Sequence, residues 1–197
     1  MIDYDPSTAL IVVDVQNDFA DPKGSLYVGE GEQVVPPVNR EIERARVEGG
    51  LVVYTQDWHP AQTPHFQSGG GVWPEHCLQD SWGAQLHPDL RVAGEVIRKG
   101  QGGEDGYSGF TVRDPVTGAE AATPLEELLR RRGVHRVVVV GLATDYCVKE
   151  TALDAVRLGF DTVVLGGLVR AVDLQPGDGE RALAAMRAAG ARVEQPA

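Results

Sequence analysis

The chain has 197 residues, of which 42% are hydrophobic and 24% are charged, and its formal net charge is −11. This length and composition indicate one globular domain over residues 1–197. The acidic balance argues against nucleic acid and anionic membranes as partners, because both are bound through clustered Lys and Arg.

The N-terminal residues, the apolar runs and the cysteines bear on where the protein is located. The first six residues carry Asp3 and Asp5 and no basic residue, which is not typical of a secretory signal. The longest apolar runs, of about five residues, are too short to cross a membrane. The two cysteines, Cys77 and Cys147, are distant and predicted to be free thiols. We therefore predict a cytoplasmic protein.

Continuous apolar runs predict the strands in chain order: residues 9–13, 51–54, 96–97 (the weakest), 137–140 and 162–165. Runs that are rich in β-branched residues and do not alternate are typical of parallel strands buried on both faces. Apolar residues at helical spacing lie between and after them, in residues 38–45, 125–129, 148–156 and 182–186. We therefore predict an α/β fold: a three-layer, doubly wound, mostly parallel sheet of about six strands with helices on both faces.

The segment from residue 57 to about residue 90 has no clear periodicity. It holds all three Trp and four of the five His of the chain. A loop this long in a compact domain is usually functional or disordered, and this composition is not typical of disorder. We predict a functional loop.

Reactive residues follow the apolar runs. Asp14 follows the first run, Asp57 and His59 the second, Lys99 the third, and Cys147 comes shortly after the fourth. In an open α/β sheet, ligands bind outside the carboxyl ends of the strands. If the strands are parallel, these residues share one edge of the sheet. They supply a carboxylate, a pair of candidate metal ligands, an amine and a thiol.

The thiol, the carboxylate and the amine suit nucleophilic catalysis. Cys147 begins a predicted helix, where backbone N–H groups and the helix dipole favour a thiolate, although free Cys is also commonly a small buried hydrophobe. Asp14 is a candidate general base or a simple turn cap. Lys99 is one of only three lysines. Its ammonium either pairs with Asp14 and stabilises a thiolate, or is an ordinary solvent-facing cation at the end of a strand.

The histidine-rich loop holds a candidate metal site. Asp57 and His59 alternate on an extended segment and so point the same way, and His76 follows. Three protein ligands leave positions open for water or substrate, as a working metal site needs. His65 is a fourth ligand or a gate. The alternative is hydrogen bonding of these imidazoles within a Trp-rich loop.

Aromatic residues near this loop are candidates for substrate contacts. Phe19 and Trp73 could sandwich a flat ring, or belong to the core, and Tyr107 lies in a Gly-rich stretch. The sequence has no P-loop, and its Gly29-Glu30-Gly31 segment lacks the third glycine of a dinucleotide site.

Six motifs together resemble the nicotinamidase/pyrazinamidase branch of the isochorismatase-like cysteine hydrolases. They are VVDVQNDF at 12–19, QDWHP at 56–60, WPEHC at 73–77, RKG at 98–100, YSGF at 107–110 and GLATDYCV at 141–148. The similarity runs from about residue 8 to residue 190. The Asp-Trp-His-Pro and Trp-Pro-x-His-Cys pieces separate this branch from relatives without the metal site.

The resemblance implies a role for each candidate residue. The implied catalytic triad is Asp14, Lys99 and Cys147. The implied ligands of one divalent metal ion, zinc, iron or manganese, are Asp57, His59 and His76, and His65 falls where only some members place an additional ligand. The implied substrate contacts are Phe19, Trp73 and Tyr107. The implied oxyanion hole is the backbone N–H groups of Ala143 and Cys147, with a cis Leu142–Ala143 peptide.

The resemblance also implies the reaction. The small-molecule substrate is nicotinamide, with pyrazinamide as a second substrate, and hydrolysis through a thioester gives nicotinate and ammonia for NAD salvage. A homodimer or higher homo-oligomer is the default assembly. Two alternatives stay open: a metal-independent cysteine hydrolase of another small amide or carbamoyl compound, and a non-catalytic binder on the same scaffold.

Overall fold

A parallel sheet forms the centre of the protein. The computed structural model describes residues 2–195, so Met1, Pro196 and Ala197 of the predicted domain lie outside the described residues. Within residues 2–195 the strands are β1 Thr8–Val13, β2 Leu51–Asp57, β3 Glu95–Lys99, β4 Thr111–Arg113, β5 Glu120–Ala122, β6 Arg136–Leu142, β7 Asp161–Arg170 and β8 Arg192–Glu194. Six form one sheet in the order β3-β2-β1-β6-β7-β8, and all neighbours in it run parallel.

Helices cover both faces of this sheet. They are α1 Asn17–Ala20, α2 Val35–Val47, α3 Leu125–Arg131, α4 Lys149–Arg157 and α5 Asp178–Ala189. Leu10 and Val12 pack on the same side as Ile42 of α2, whereas Ile11 packs on the opposite side, in the core that includes Met186 of α5. Full burial of one such side chain contributes about 2 kcal/mol. The predicted three-layer α/β fold is confirmed.

The prediction missed the smallest elements. Strands β4 and β5 form a separate antiparallel hairpin, and β8 adds a sixth strand at the sheet edge. Each has three residues, and β5 is fully exposed. Such short segments carry neither a buried apolar run nor a clear alternation, so their pairing depends on neighbours that are distant in sequence.

The strand order reverses between β1 and β6, which places a crevice at their carboxyl ends. Gly141 of β6 makes this close approach possible. A Cβ there would lie 2.1 Å from the Val13 carbonyl oxygen, and the residue has φ +111°. The following Leu142–Ala143 peptide is cis, and a π-helical turn over Thr144–Val148 leads into α4.

None of the helices described between residues 2 and 195 has the length and the apolar character needed to cross a membrane.

Candidate active site

Asp14, Lys99 and Cys147 meet at the reversal of strand order. They come from the ends of β1, β3 and the turn after β6, as the spacing of the apolar runs predicted. Lys99 Nζ lies 2.7 Å from Asp14 Oδ2 and 3.8 Å from Cys147 Sγ. All three residues are buried. The Lys99 ammonium therefore contacts both the carboxylate and the thiol.

Neighbouring polar groups fix this triad. The Thr55 hydroxyl donates to Asp14 Oδ1 at 2.7 Å, and the Asp14 backbone has φ +46°. Lys99 also donates to the Gly106 carbonyl oxygen and contacts Asp57 Oδ1 at 3.3 Å. The ammonium is thus surrounded by oxygen acceptors on several sides, which holds it in one position.

Burial and charge set the proton affinities of the triad. Burial raises the pKa of the Asp14 carboxyl, and the Lys99 ammonium opposes that rise without cancelling it. Burial also raises the pKa of the Cys147 thiol well above its usual value, again opposed by Lys99. Burial acts to lower the pKa of Lys99, but Asp14 and Asp57 outweigh it and hold that pKa well above its ordinary value. The geometry favours a thiol beside a carboxylate whose raised pKa makes it a stronger base.

Three imidazoles converge next to the triad. One ligand nitrogen from each of His59, His65 and His76 lies within 4.8 Å of the other two, and all three residues are buried. Asp57 Oδ2 lies 3.1 Å from His59 Nε2 and 3.5 Å from His76 Nε2. The four residues predicted from the loop are therefore neighbours, and His65 lies inside the cluster.

The hydrogen bonds of these imidazoles fit a metal site. His76 Nδ1 lies 2.8 Å from the Pro74 carbonyl oxygen, and His65 Nδ1 lies 2.6 Å from Asp105 Oδ1. Metal-binding histidines ordinarily donate their second ring nitrogen in this way. His59 is fully buried, and among the described residues neither ring nitrogen makes a hydrogen bond of good geometry, the 3.1 Å contact of Nε2 with Asp57 included. An unpartnered buried polar group costs about 1–3 kcal/mol, which coordination would offset. Nitrogen and carboxylate donors suit zinc, iron or manganese.

Cys147 of the triad and His65 and His76 of the imidazole cluster line one pocket. Its lining includes Phe19, Asp57, His65, Trp73, His76, Gly106, Tyr107, Ala143, Tyr146, Cys147 and Val172. Trp73 Nε1 donates a hydrogen bond to Tyr107 Oη at 2.8 Å, and Tyr146 packs edge-on against Trp73 at 4.9 Å between ring centroids. The structure thus places every predicted substrate contact around the same cavity as the thiol.

Comparison with known proteins agrees with this geometry. The isochorismatase domain model matches residues 8–195. The chain belongs to the isochorismatase family. It is 41% identical to a nicotinamidase of Escherichia coli (strain K12) over an alignment 206 residues long. The alignment covers 95% of this chain and 94% of that protein.

Two solved structures resemble this isochorismatase family member closely. The pyrazinamidase of Pyrococcus horikoshii in complex with zinc has a TM-score of 0.86 and 41% identity, with 97% of this chain and 100% of that chain covered. PnC1 from L. infantum in complex with nicotinate has a TM-score of 0.89 and 36% identity, with 98% and 96% covered.

Three pocket residues of this family member were not predicted from the sequence, namely Gly106, Tyr146 and Val172. Tyr146 directly precedes Cys147, so its position in the same turn was a usable signal. Val172 lies beyond the end of β7, and the Asp145 carboxylate places it there by accepting hydrogen bonds from the backbone N–H groups of Val172 and Asp173. No local pattern in the sequence predicts that contact.

Close packing requires Gly69 and Gly71 of the histidine-rich loop. The run Gly69-Gly70-Gly71 between His65 and His76 suggests a flexible loop. In the structure, however, a Cβ on Gly69 would lie 2.1 Å from the Thr63 carbonyl oxygen, and one on Gly71 would lie 2.2 Å from that of His65. The glycines let the chain turn back closely on the segment that carries His65.

Asp18 fixes the turn that follows His76. Its carboxylate accepts hydrogen bonds from the backbone N–H of Cys77 at 2.7 Å and of Ser25 at 3.0 Å. Cys77 itself has φ +46° and is buried. The motif over residues 12–19 therefore contributes one residue, Asp14, to the triad and another, Asp18, to the support of the imidazole cluster.

Proposed function

We propose that this protein is a nicotinamidase: a metal-containing cysteine amidohydrolase that converts nicotinamide to nicotinate and ammonia and also accepts pyrazinamide. The observation that carries the proposal is the shared pocket, in which the Cys147 thiol, the imidazoles of His65 and His76 and aromatic side chains line one cavity. The proposed reaction uses all three: a nucleophile for the carboxamide, nitrogen donors for a metal ion, and walls for a flat ring.

The triad would perform the covalent chemistry. Asp14 removes the proton of the Cys147 thiol, and the thiolate attacks the carboxamide carbon. The backbone N–H groups of Ala143 and Cys147 hold the oxyanion, a contribution of about 3 kcal/mol for one such donor. Asp14 returns the proton to the departing nitrogen, so that ammonia leaves and a thioester to Cys147 remains. Water then hydrolyses the thioester to nicotinate and the free thiol.

Lys99 would keep the triad competent throughout this cycle. Its ammonium lies between Asp14 and Cys147, so it stabilises the thiolate when the proton moves to Asp14. Its high pKa keeps it charged in every step. The ammonium acts by position and charge, and no proton needs to leave it.

Asp57, His59 and His76 would hold one divalent ion, with the His65 imidazole beside them. When bound, this ion supplies a Lewis-acidic anchor for the ring nitrogen of the substrate. Phe19 and Trp73 face the ring from the pocket wall, with Tyr107 beside Trp73. These side chains orient the ring and exclude water from it, which leaves the carboxamide toward Cys147.

We place the enzyme in the salvage of NAD in the cytoplasm, as one domain over residues 1–197 that forms a homodimer or a higher homo-oligomer. The metal-independent alternative is not favoured, because it gives no reason for the imidazole cluster. The non-catalytic binder gives no reason for a buried ammonium between a carboxylate and a thiol.

The test is ammonia release from nicotinamide by purified protein, before and after chelation, with the metal content measured on the same sample. We expect release that falls on chelation and returns with zinc, iron or manganese. No release from a folded, metal-loaded sample would overturn the proposal. Release that persists in a metal-free sample would favour the metal-independent amidase.

A further inference from the structure

Asp105 lies in the loop of residues 100–107, between β3 and β4, and carries a partly buried carboxylate. Its side chain is 22% exposed, and Oδ1 lies 2.6 Å from Nδ1 of the buried His65. It lies outside the six sequence motifs. The contact joins segments 40 residues apart in the chain.

The backbone of Asp105 is anchored on its other side. Its N–H donates to the Arg113 carbonyl oxygen at 2.8 Å, and the Arg113 N–H donates back at 2.9 Å. This paired bridge to β4 holds the backbone of Asp105, and the contact with His65 Nδ1 holds its carboxylate.

The same loop contacts the histidine-rich segment at two further points. The Thr63 hydroxyl donates to the Gly103 carbonyl oxygen at 2.6 Å, and Trp73 Nε1 donates to Tyr107 Oη at 2.8 Å. The His65 backbone N–H donates to the Thr63 hydroxyl oxygen at 3.1 Å, and its ring contacts Asp105, so both are held. The hydrogen bond to Asp105 then determines which ring nitrogen is free.

A proton on His65 Nδ1 that is donated to Asp105 leaves the lone pair on Nε2. A metal takes that lone pair, and a carboxylate on the opposite nitrogen both orients the ring and makes Nε2 a stronger donor. The ligand nitrogens of His59 and His76 are within 4.8 Å of the His65 ligand nitrogen. With Nδ1 engaged by Asp105, Nε2 is the nitrogen of His65 that remains available to an ion.

We propose that Asp105 is a positioning residue of the metal site: its carboxylate holds the His65 ring with Nε2 free to coordinate the ion bound by Asp57, His59 and His76. The inference rests on the proposed function, since it concerns the metal site of that function. Loss of such a carboxylate partner ordinarily lowers metal affinity by 10–100-fold.

The experiment measures zinc affinity by competition with a chromophoric chelator. The variants are Asp105→Ala, Asp105→Asn and His65→Ala. Glu75→Gln is the matched control, because it removes an exposed carboxylate directly beside the ligand His76 without releasing an imidazole. We expect a 10–100-fold loss for Asp105→Ala and His65→Ala, a smaller loss for Asp105→Asn, and less than a threefold change for Glu75→Gln.

A second readout separates ligand positioning from a general effect on the fold. The visible absorption of the Co²⁺-loaded protein reports the ligand set, and we expect Asp105→Ala and His65→Ala to change it in the same way. If Asp105→Ala does not fold, Asp105→Asn provides the comparison, since its amide fills the same volume.

The outcomes distinguish this inference from the function on which it rests. A wild-type protein that binds no zinc, iron or manganese overturns the metal part of the proposed function. A wild-type protein that binds zinc, with Asp105→Ala and Asp105→Asn indistinguishable from Glu75→Gln, overturns the role of Asp105 alone. Wild-type zinc affinity in His65→Ala also overturns it, because Asp105 acts on the ion only through His65.

Discussion

The carboxylate of Asp57 connects the ammonium of Lys99 to the imidazole cluster. Its Oδ1 lies 3.3 Å from Lys99 Nζ, and its Oδ2 lies 3.1 Å from His59 Nε2. Asp57 and Lys99 are also register partners on the neighbouring strands β2 and β3. A single strand pairing therefore determines the distance between the triad and the candidate metal site.

Lys99 compensates two buried carboxylates, so we predict that Lys99→Met is strongly destabilising. Removing one partner of a buried ion pair typically costs about 3–5 kcal/mol, because the remaining charge is buried without compensation. Urea unfolding of Lys99→Met and wild type measures the loss. Lys23→Met, at an exposed position, is the control and should be neutral. Equal midpoints for Lys99→Met and wild type would contradict the buried pairing with Asp14 and Asp57.

Cys147→Ala should abolish turnover while the pocket still binds the product. Loss of a nucleophile that acts as a unit with its base costs at least about 10³-fold in rate. Ammonia release measures the rate, and calorimetric titration with nicotinate measures binding. The control is Cys77→Ala, which removes the other free thiol. If Cys147→Ala kept a tenth of the wild-type rate, the nucleophile would be another group.

The pH dependence of thiol alkylation follows from the raised pKa of Cys147. Burial holds that pKa well above its usual value, so the reactive thiolate is a minor species at neutral pH. Below the pKa the thiolate fraction rises about tenfold per pH unit, and we expect the rate of alkylation by iodoacetamide to rise from pH 6 to pH 9. Mass spectrometry of the modified peptide measures the rate. A rate that is constant across this range would mean that the thiol is already ionised.

Much of this arrangement could be predicted from sequence because the sheet is parallel. Continuous apolar runs identify the strands, and the residues that follow them, such as Asp14 and Lys99, necessarily reach one edge. Asp105, Val172 and β8 could not be predicted in this way. Asp105 and Val172 are placed by hydrogen bonds to His65 and Asp145, which are distant in sequence, and short segments such as β8 carry no periodicity.

The hydrogen bond between Trp73 and Tyr107 should couple the two residues. Trp73→Phe removes the donor of the 2.8 Å hydrogen bond, and Tyr107→Phe removes its acceptor. We expect each single variant to raise KM for nicotinamide. The free-energy effect of the double variant should be smaller than the sum of the two single effects, by a coupling energy of about 1 kcal/mol. Steady-state kinetics of the four proteins completes the cycle. Strict additivity would show that the contact does not close the pocket wall.

Gly83 tests whether Asp18 supports the imidazole cluster. A Cβ at Gly83 would lie 2.0 Å from Asp18 Oδ2, the oxygen that accepts the Cys77 N–H. Gly83→Ala should therefore displace this carboxylate, lower the stability by about 1–3 kcal/mol through overpacking, and weaken zinc binding by shifting His76. Urea unfolding and chelator competition measure the two effects. Gly29→Ala is the control, because nothing lies within 4 Å of its Cβ position. Unchanged zinc affinity in a destabilised Gly83→Ala would limit Asp18 to a role in folding.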